Sequence, residues 1–335
     1  MKVLVTGGAG FVGRHIAKHC VDLKYDVVIV DDMSTGIPWR KWPDFLQPKG
    51  FDVARITEIS DDLRHYMRHY AKASEFDLIF HCAAVVGGRK MIDGAPLHVA
   101  TDLSIDAEFF NWCCAENKKP GKVVYFSSSA VYPTQLQTRE IHVRLNEALV
   151  KIGIAKIGMP DAAYGWAKLS GEFLMHYAVK SYDLDCVCYR PFSGYGEDQD
   201  FSYPFPTLVR RVGRCEDPIL IWGSGDQVRD FIHIDDIVDM IFESFPKMPA
   251  GETVNLGSGQ PLSFKEFVNI TAAILGHSTR IETRVDEPEG VFYRVADIHR
   301  MEQYCGLPKI SLAEGIRRVH RYQSKNGLLT PPEKV

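Results

Sequence analysis

Apolar runs alternate with stretches of helical spacing through the first two thirds of the chain. Each of five apolar runs predicts a strand, at 2–6, 26–31, 76–84, 122–127 and 184–190. Helical spacing begins after the first run, where Val12, Ile16 and Cys20 recur, and it returns over 102–116 and 164–181. Because the strands are apolar on both faces and alternate with helices, they predict an α/β fold with a doubly wound parallel sheet.

The last third of the chain has a different pattern. An irregular stretch rich in aromatic residues and proline covers 194–225, and beyond residue 256 short helical and strand patterns mix. This change predicts a smaller, discontinuous α/β substrate domain that closes over the carboxyl edge of the sheet, where open α/β sheets bind ligands. We expect the sheet domain at 1–192 plus about 230–255, and the substrate domain at about 193–229 plus 256–330.

Composition and charge exclude several classes of protein. The chain has 335 residues, 45% apolar and 24% charged, which is typical of a globular protein with a well-buried core. A net charge of −4 without a basic patch argues against nucleic acid or an acidic membrane as a partner. We find neither a signal peptide nor an apolar run long enough to cross a bilayer. The eight cysteines lack metal-binding spacing and are expected to be reduced, as in a cytoplasmic protein.

A glycine-rich turn follows the first predicted strand. Gly7, Gly10 and Gly13 stand where the strand ends and the first helix begins, a Rossmann-type pattern that lets the backbone approach a pyrophosphate. The second strand ends at Asp31, 21 residues after Gly10, and this carboxylate can accept hydrogen bonds from both ribose hydroxyls of an adenosine. Asp31 and Asp32 would repel a 2′-phosphate, so the pattern predicts NAD rather than NADP as the cofactor.

A tyrosine and a lysine stand four residues apart at the start of the last long helix. Tyr164 and Lys168 therefore share one face of that helix. The ammonium, together with the positive nicotinamide of NAD, favours the phenolate, so Tyr164 can act as a base on a sugar hydroxyl. Three serines at 127–129 end the fourth predicted strand. A hydroxyl at this carboxyl end can stabilise the charge that develops on the reacting oxygen.

Many segments of the chain resemble, in the same order, the extended short-chain dehydrogenase/reductases that act on nucleotide-sugars. The resemblance covers nearly the whole chain and rests on TGGAGFVG at 6–13, Asp31-Asp32, Asp62-Leu63, HCAA at 81–84, SSSAVY at 127–132, YGWAK at 164–168, RPFSGYGE at 190–197, GSGDQVRDFIHIDD at 223–236 and VNLGSG at 254–259. It implies an NAD-dependent enzyme of carbohydrate biosynthesis that acts on a nucleotide-diphosphate sugar.

The resemblance also implies roles for individual residues. The catalytic serine of the family lies four residues before the tyrosine of VY, which selects Ser128 to act with Tyr164 and Lys168. The implied substrate contacts are Ser128, Ser129, Ser193, Arg229 and Arg294, with the two arginines holding the diphosphate. The implied cofactor contacts, besides the three glycines and Asp31-Asp32, are Phe11, Val12, Asp62, Leu63, Ala83, Ala84, Asp102, Tyr164, Lys168 and Phe192.

The residues after Ser128 narrow the reaction that the resemblance implies. The 4,6-dehydratases of the family carry an Asp–Glu pair where this chain has Ser129 and Ala130. At the position of Ala130 the UDP-glucuronate decarboxylases have an acid, and GDP-mannose 3,5-epimerase and GDP-fucose synthase a cysteine. Since alanine transfers no proton, the simplest remaining reaction is inversion of C4 of a UDP- or GDP-linked hexose through a transient 4-keto intermediate.

Other functions stay open at this point. A 4-keto-sugar reductase, or a 3,5-epimerase with a base from elsewhere in the chain, is the first alternative. A non-catalytic dinucleotide-binding regulator on the same fold is a minor alternative, because fold alone does not establish function.

Some features depart from the family or extend it. Ser193 and Asp102 stand where the family usually has asparagine. The segment between Tyr132 and Tyr164 is long, and its apolar residues over 141–152 predict an extra helix near the substrate. Its His142 is expected at the surface rather than in catalysis. The family implies a homodimer, which we expect to form through the helices at 102–116 and 164–181.

Overall fold

A computed structural model describes residues 1–330, except 88, 151 and 154–156, and residues 89–91 by their backbone only. The strands, in chain order, are β1 (Lys2–Thr6), β2 (Asp26–Asp31), β3 (Ile56–Ser60), β4 (Leu78–His81), β5 (Lys122–Phe126), β6 (Cys186–Pro191), β7 (Ser193–Tyr195), β8 (Ile219–Trp222), β9 (Val228–Arg229), β10 (Phe231–His233), β11 (Thr253–Leu256), β12 (Leu262–Ser263), β13 (Ile281–Arg284) and β14 (Tyr293–Arg294). The helices are α1 (Phe11–Asp22), α2 (Leu63–His69), α3 (Arg89–Gly94), α4 (Pro96–Val99), α5 (Asp102–Cys114), α6 (Ala162–Tyr182), α7 (Pro204–Gly213), α8 (Ile234–Ser244), α9 (Phe264–Leu275), α10 (His299–Tyr304) and α11 (Leu312–Lys325).

Seven parallel strands of the described chain form the central sheet, in the order β11-β6-β5-β4-β1-β2-β3. The strand order runs outward from the centre in both directions, so the predicted doubly wound parallel sheet is confirmed. The reversal of direction leaves β1 beside β4. In sheets of this kind, ligands bind outside the carboxyl ends of the strands at that reversal.

Helices cover both faces of the sheet because successive residues of a strand point to opposite sides. On one face, Val3 and Val5 of β1 pack in one core with Ile16 of α1 and Ile237 of α8. On the other face, Leu4 belongs to a second core with residues of α2, α5 and α6. Both faces are therefore apolar, which is why these strands stand out in the sequence as continuous apolar runs.

The remaining strands form smaller sheets beside a core of their own. β10 pairs with β7, β13 pairs with β8, and β9 lies between β12 and β14. The core joins Phe205 of α7, Phe267 of α9 and Ile316 of α11 with Ile219 of β8. The predicted domain boundaries stay a prediction. β10, inside the segment 230–255 predicted for the sheet domain, pairs with β7 rather than with the central sheet.

Two sequence expectations differ from the structure. The edge strand β3 was not among the five strands predicted from apolar runs, because its residues ITEIS include polar and partly exposed side chains. The extra helix predicted over 141–152 is wrong for the described residues, which form only one short 3-10 turn there, at Glu147–Leu149. Leu145 and Val150 are buried individually, in a small core with Phe192. Residues 151 and 154–156 lie outside the described chain.

The other predicted elements are confirmed. The strands at 2–6, 26–31, 122–127 and 184–190 and the helices at 102–116 and 164–181 lie within two residues of the observed ends, and the strand predicted at 76–84 is the shorter β4. No described helix has both the length and the apolar composition that crossing a bilayer requires.

Candidate active site

The glycine-rich turn joins β1 to α1 at the reversal point of the sheet. Gly7 has a left-handed backbone with φ of +64°, and a Cβ there would lie 2.7 Å from the backbone of Ala83. A Cβ on Gly13 would overlap the carbonyl oxygen of Gly7. Only glycine fits these two positions, so the start of α1 lies close against the end of β4, with the amides of Phe11 and Val12 at the N-terminus of the helix.

Acidic residues lie at the carboxyl ends of β2 and β3. Asp31 accepts hydrogen bonds from the amides of Ala9, at 3.0 Å, and Met33, at 2.9 Å. Burial raises the pKa of this carboxyl above its ordinary value, and both hydrogen bonds oppose the shift. Asp32 is exposed and bonds Ser34, while Asp62 caps α2 and pairs with Arg64 at 2.6 Å. Asp31 therefore fixes the glycine turn relative to β2.

Ser128, Tyr164 and Lys168 come together at the carboxyl end of β5. Ser128 begins a 3-10 turn, and its hydroxyl accepts a hydrogen bond from the amide of Ala130 at 3.1 Å. Tyr164 and Lys168 lie one turn apart on α6, and the Tyr164 side chain is hydrogen-bonded to Ser128. Lys168 is 2% exposed, although it carries a charge. A phenol, an ammonium and a hydroxyl thus face one another.

The charges around these residues act in opposite directions. Burial is the largest influence on the pKa of Tyr164 and raises it, whereas Lys168 and the hydrogen bond with Ser128 lower it, and the pKa stays above its ordinary value. Burial lowers the pKa of Lys168, but the nearby negative charge of Asp106, with Tyr164 and Asp102, outweighs burial and raises it. Lys168 is therefore a cation at neutral pH, beside the phenol.

Asp102 lies at the start of α5, facing the end of β4. It is fully buried, and its Oδ1 accepts a hydrogen bond from the amide of Val85 at 2.5 Å. Its Oδ2 is buried with no hydrogen-bond partner among the described residues. Burial raises the pKa of Asp102 to about 6, and Lys168 and the amide of Val85 oppose the shift. A buried carboxylate oxygen without a partner is costly in a folded protein unless a ligand satisfies it.

Arg229 and Arg294 lie side by side on the paired strands β9 and β14. The Arg294 guanidinium donates to the Gln137 side chain at 2.7 Å and to Asp161 at 2.9 Å. Asp161 directly precedes α6, which carries Tyr164. Arg229 donates to the carbonyl of Val228 at 2.9 Å. The two arginines form one positive edge beside the start of the helix with the tyrosine and lysine.

A cavity of about 580 Å³ lies beside this edge, and its described lining includes the partners of Arg294 but neither Arg229 nor Arg294 and none of the three candidate catalytic residues. Its walls come from the segment after Tyr132, the start of α6 and the loop before β14, and they include Gln137, Arg139, Asp161, Glu289 and Phe292. A volume of this size is in the usual range for small-molecule sites. His142 is exposed near this edge, as expected, and its ring stacks on Tyr293 at 4.8 Å.

The other residues predicted from the sequence follow the carboxyl ends of the strands of the central sheet. Ala83 and Ala84 follow β4, and the amide of Ala83 donates to Thr6 at 3.3 Å. Leu63, Ser129 and Phe192 are buried. Ser193 is partly exposed, and its amide donates to the carbonyl of Asp230 at 3.0 Å.

Sequence reasoning missed a buried ion pair behind these residues. Arg190, at the end of β6, is 1% exposed and binds both oxygens of Glu172 on α6, at 2.8 and 2.6 Å. Glu172 also accepts a hydrogen bond from Ser127 at 2.5 Å. Arginine at the end of an apolar strand, within RPF, was the signal that could have revealed it. The pair holds α6 against β6, and the hydrogen bond from Ser127 holds it against the end of β5, next to Ser128.

The chain is similar in sequence to a known family and to several named proteins. The model of the NAD dependent epimerase/dehydratase family matches residues 3–257. The uncharacterized UDP-glucose epimerase YtcB of Bacillus subtilis is 29% identical over 97% of this chain and 98% of that protein. The GDP-L-colitose synthase of Yersinia pseudotuberculosis is 23% identical over 96% and 97% of the two chains.

A solved structure with the same fold is similar in sequence as well. The UDP-glucuronic acid 4-epimerase of Bacillus cereus, in complex with UDP-glucuronic acid and NAD, superposes with a TM-score of 0.79. It is 26% identical, and the match covers 97% of this chain and all of that one.

Proposed function

Because the chain belongs to the NAD-dependent epimerase/dehydratase family, we propose that it is a nucleotide-sugar epimerase that inverts C4 of an NDP-hexose through a transient 4-keto intermediate. The observation that carries this proposal is the grouping of Ser128, Tyr164 and Lys168 at the carboxyl end of β5, beside the glycine turn. The positions after Ser128 offer the buried Ser129 and Ala130, so this turn carries no acid for a dehydration.

The residues at the reversal point of the sheet fit NAD. Gly7 and Gly13 let the turn pack closely against the end of β4, which leaves the amides at the start of α1 for a pyrophosphate, and Asp31 lies where an adenosine ribose would be held. The buried Oδ2 of Asp102 has no partner in the described chain and would accept a hydroxyl of the cofactor. When bound, NAD supplies the acceptor for the hydride that leaves C4 of the sugar.

Tyr164 is proposed to hold and return the proton of the C4 hydroxyl. Its phenolate takes the proton as C4 is oxidised and gives it back when the ketone is reduced from the other face. Lys168 lowers the cost of the phenolate, and the pyridinium charge of the cofactor would add to that effect. The hydroxyl of Ser128 binds the reacting oxygen and stabilises its charge.

Arg229 and Arg294 are proposed to hold the diphosphate of the substrate. Two guanidiniums on neighbouring strands suit a dianion, and the adjacent cavity, which Gln137 and Asp161 line, is large enough for a sugar. Asp161 and Gln137, which bind Arg294, would orient its guanidinium toward the diphosphate. UDP is the first nucleotide to test, since both epimerases named above are UDP-sugar enzymes by their names.

We also propose that the protein is a homodimer through α5 and α6. Trp166, Phe173 and Tyr177 of α6 are 47%, 48% and 45% exposed and lie along one helix face, and Leu103 of α5 is 43% exposed. Apolar side chains grouped in this way on two adjacent helices are typical of an interface. A second copy would cover them symmetrically.

The compartment proposed is the cytoplasm, in a pathway of carbohydrate biosynthesis. All eight cysteines are free, and five of them are buried: Cys20, Cys113, Cys186, Cys188 and Cys305. Free buried thiols are typical of a reducing compartment, where nucleotide-sugars are also made.

The test is to incubate the purified protein with UDP- and GDP-hexoses without added cofactor and to follow the sugar by NMR. We expect inversion at C4 with no net use of NAD. Absence of inversion with every hexose, together with steady NADH consumption on a 4-keto sugar, would instead establish a reductase.

A further inference from the structure

A group of buried polar residues lies beneath Lys168, outside the machinery described so far. Asp106 of α5 is 1% exposed, and His81 of β4 and Tyr125 of β5 are fully buried. The aromatic ring of Phe109 stacks on His81 at 3.7 Å and seals the group on one side. A carboxylate this deeply buried requires a counter-charge or several hydrogen bonds.

The hydrogen bonds of this group fix a single arrangement of protons. Asp106 accepts from Tyr125 at 2.6 Å through one oxygen and bonds His81 Nε2 at 3.0 Å through the other. Burial lowers the pKa of His81, and a neutral ring beside the carboxylate is expected to carry its proton on Nε2. His81 Nδ1 then accepts from the Thr6 hydroxyl at 2.8 Å, and Thr6 accepts from the amide of Ala83. The chain of bonds ends at the glycine turn.

The counter-charge of this carboxylate is Lys168. The Lys168 ammonium lies 5.4 Å from the centre of the Tyr125 ring, whose hydroxyl donates to Asp106. Donation to an anion makes the ring richer in electrons, so the ring itself attracts the ammonium. Lys168 lowers the pKa of Asp106 despite burial, and Asp106 in turn opposes the effect of burial on Lys168. The Tyr125 ring therefore links the two charges, because its face attracts the Lys168 ammonium and its hydroxyl bonds the Asp106 carboxylate.

A glycine of α6 makes room for Tyr125 and Asp106. Gly171 lies three residues after Lys168 on α6, and a Cβ there would overlap both the Tyr125 hydroxyl and the Asp106 carboxylate. Any side chain at 171 would therefore push the helix away from the pair. Residues of three strands and two helices therefore contribute contacts to this one arrangement.

We propose that Asp106 is a positioning residue that, through Tyr125, holds Lys168 charged and in place and thereby sets the pH range in which Tyr164 and Lys168 work. This inference rests on the proposed function of those two residues. Among the side chains that the structure describes, the other titratable groups facing Lys168 or Tyr164 are Asp102 on α5, with His98 beside it, Cys82 after β4 and Tyr203 before α7. Asp106 differs from these groups because two neutral side chains, Tyr125 and His81, donate hydrogen bonds to it.

The test is the pH profile of kcat/KM of Asp106→Asn in the NAD-loaded enzyme. The asparagine oxygen can still accept from Tyr125, and its amide can donate to His81 Nε2 if the ring proton moves to Nδ1 and toward Thr6. The packing is thus kept while the charge is lost. Without Asp106 the Tyr164 phenolate forms more easily and Lys168 gives up its proton more easily, so both limbs should move to lower pH, by about one unit.

A matched variant and a second readout separate the outcomes. Glu108→Gln removes an acid from the same helix, at an exposed ion pair with Arg68, and should leave the profile unchanged. NMR of ¹⁵N-histidine-labelled protein should show His81 protonated at Nε2 in the wild type and at Nδ1 in Asp106→Asn.

The proposal would be overturned if Asp106→Asn kept both limbs at their wild-type pH, with or without a lower rate, or if wild-type His81 were protonated at Nδ1. An active Tyr164→Phe variant would instead refute the proposed function itself.

Discussion

Two buried carboxyl groups share a single buried ammonium at the centre of the site. Asp102 and Asp106 are four residues apart on α5, and both lie close to Lys168. Asp106 has two hydrogen-bond donors, whereas Asp102 keeps one oxygen without a partner in the described chain. The ammonium therefore stabilises Asp106 as an anion, and the second carboxyl is easier to protonate.

The raised pKa of Asp102 predicts how the free energy of unfolding depends on pH. Asp102 titrates near 3.8 in an unfolded chain and near 6 in the folded protein, so the folded state binds the proton more tightly and loses stability as pH rises through this window. Asp102→Asn removes that loss. We expect it to gain up to about 3 kcal/mol over the wild type between pH 4 and pH 7, measured by urea unfolding without added NAD. An equal difference at both pH values would contradict the assignment.

Individual residues of the site differ in how well the sequence predicts them. The neighbourhood of Tyr164, Lys168 and the three serines at 127–129 is predictable because a helical repeat and a strand end fix it within a few positions, whereas the choice of Ser128 rests on the family resemblance. Asp161 and Gln137 meet Arg294 from segments more than a hundred residues away in the chain, and no local pattern announces such a contact. In the sequence, Asp106 is indistinguishable from an ordinary polar residue of a helix, because His81 and Tyr125 approach it only in the folded chain.

At the scale of elements, α6 is the helix on which the site depends. It carries Tyr164 and Lys168 at its start, Gly171 against the Asp106–Tyr125 pair, and Glu172 in the ion pair with Arg190. Its seating against β5 and β6 is thus set by polar contacts as well as by apolar packing. Small displacements of this helix would move both the base and its cation.

Gly171→Ala is predicted to displace the helix. The added methyl group overlaps two buried polar atoms, so we expect the free energy of unfolding to fall by at least about 1–3 kcal/mol, the usual cost of overpacking. We also expect kcat to fall, because the helix that carries Tyr164 and Lys168 is displaced. Gly306→Ala is the matched control, because a Cβ there meets no atom within 4 Å. Circular dichroism melts and turnover measure both effects. A Gly171→Ala protein as stable and active as Gly306→Ala would contradict this account of α6.

The elements that the sequence predicts well are those buried on both faces. β1, β2, β5 and α6 have continuous apolar patterns because neighbours cover each side. β3 lies at the edge of the sheet and has partly exposed side chains, so its pattern is weak. The segment after Tyr132 buries apolar residues one at a time in short turns, and periodicity alone mistakes these residues for a helix.

At the scale of the whole molecule, α5 and α6 keep an exposed apolar face on the surface of the sheet domain. If a second copy covers that face, glutamates there should separate the subunits. We expect Phe173→Glu/Tyr177→Glu to sediment as a monomer of 37.8 kDa and the wild type at twice that mass. Val285→Glu, at a residue 79% exposed elsewhere on the surface, should remain dimeric. A monomeric wild type, or a dimeric double variant, would refute the proposed interface.

The central claim is that C4 loses and regains the same hydrogen while Tyr164 moves the hydroxyl proton. The most direct measurement uses a nucleotide-hexose deuterated at C4, incubated in ordinary water without added cofactor and analysed by NMR. We predict a C4-inverted product that keeps its deuterium, and a Tyr164→Phe variant slower by about 10²–10⁴-fold. Loss of the C4 deuterium to water, exchange at C3 or C5, or full activity of Tyr164→Phe would contradict the claim.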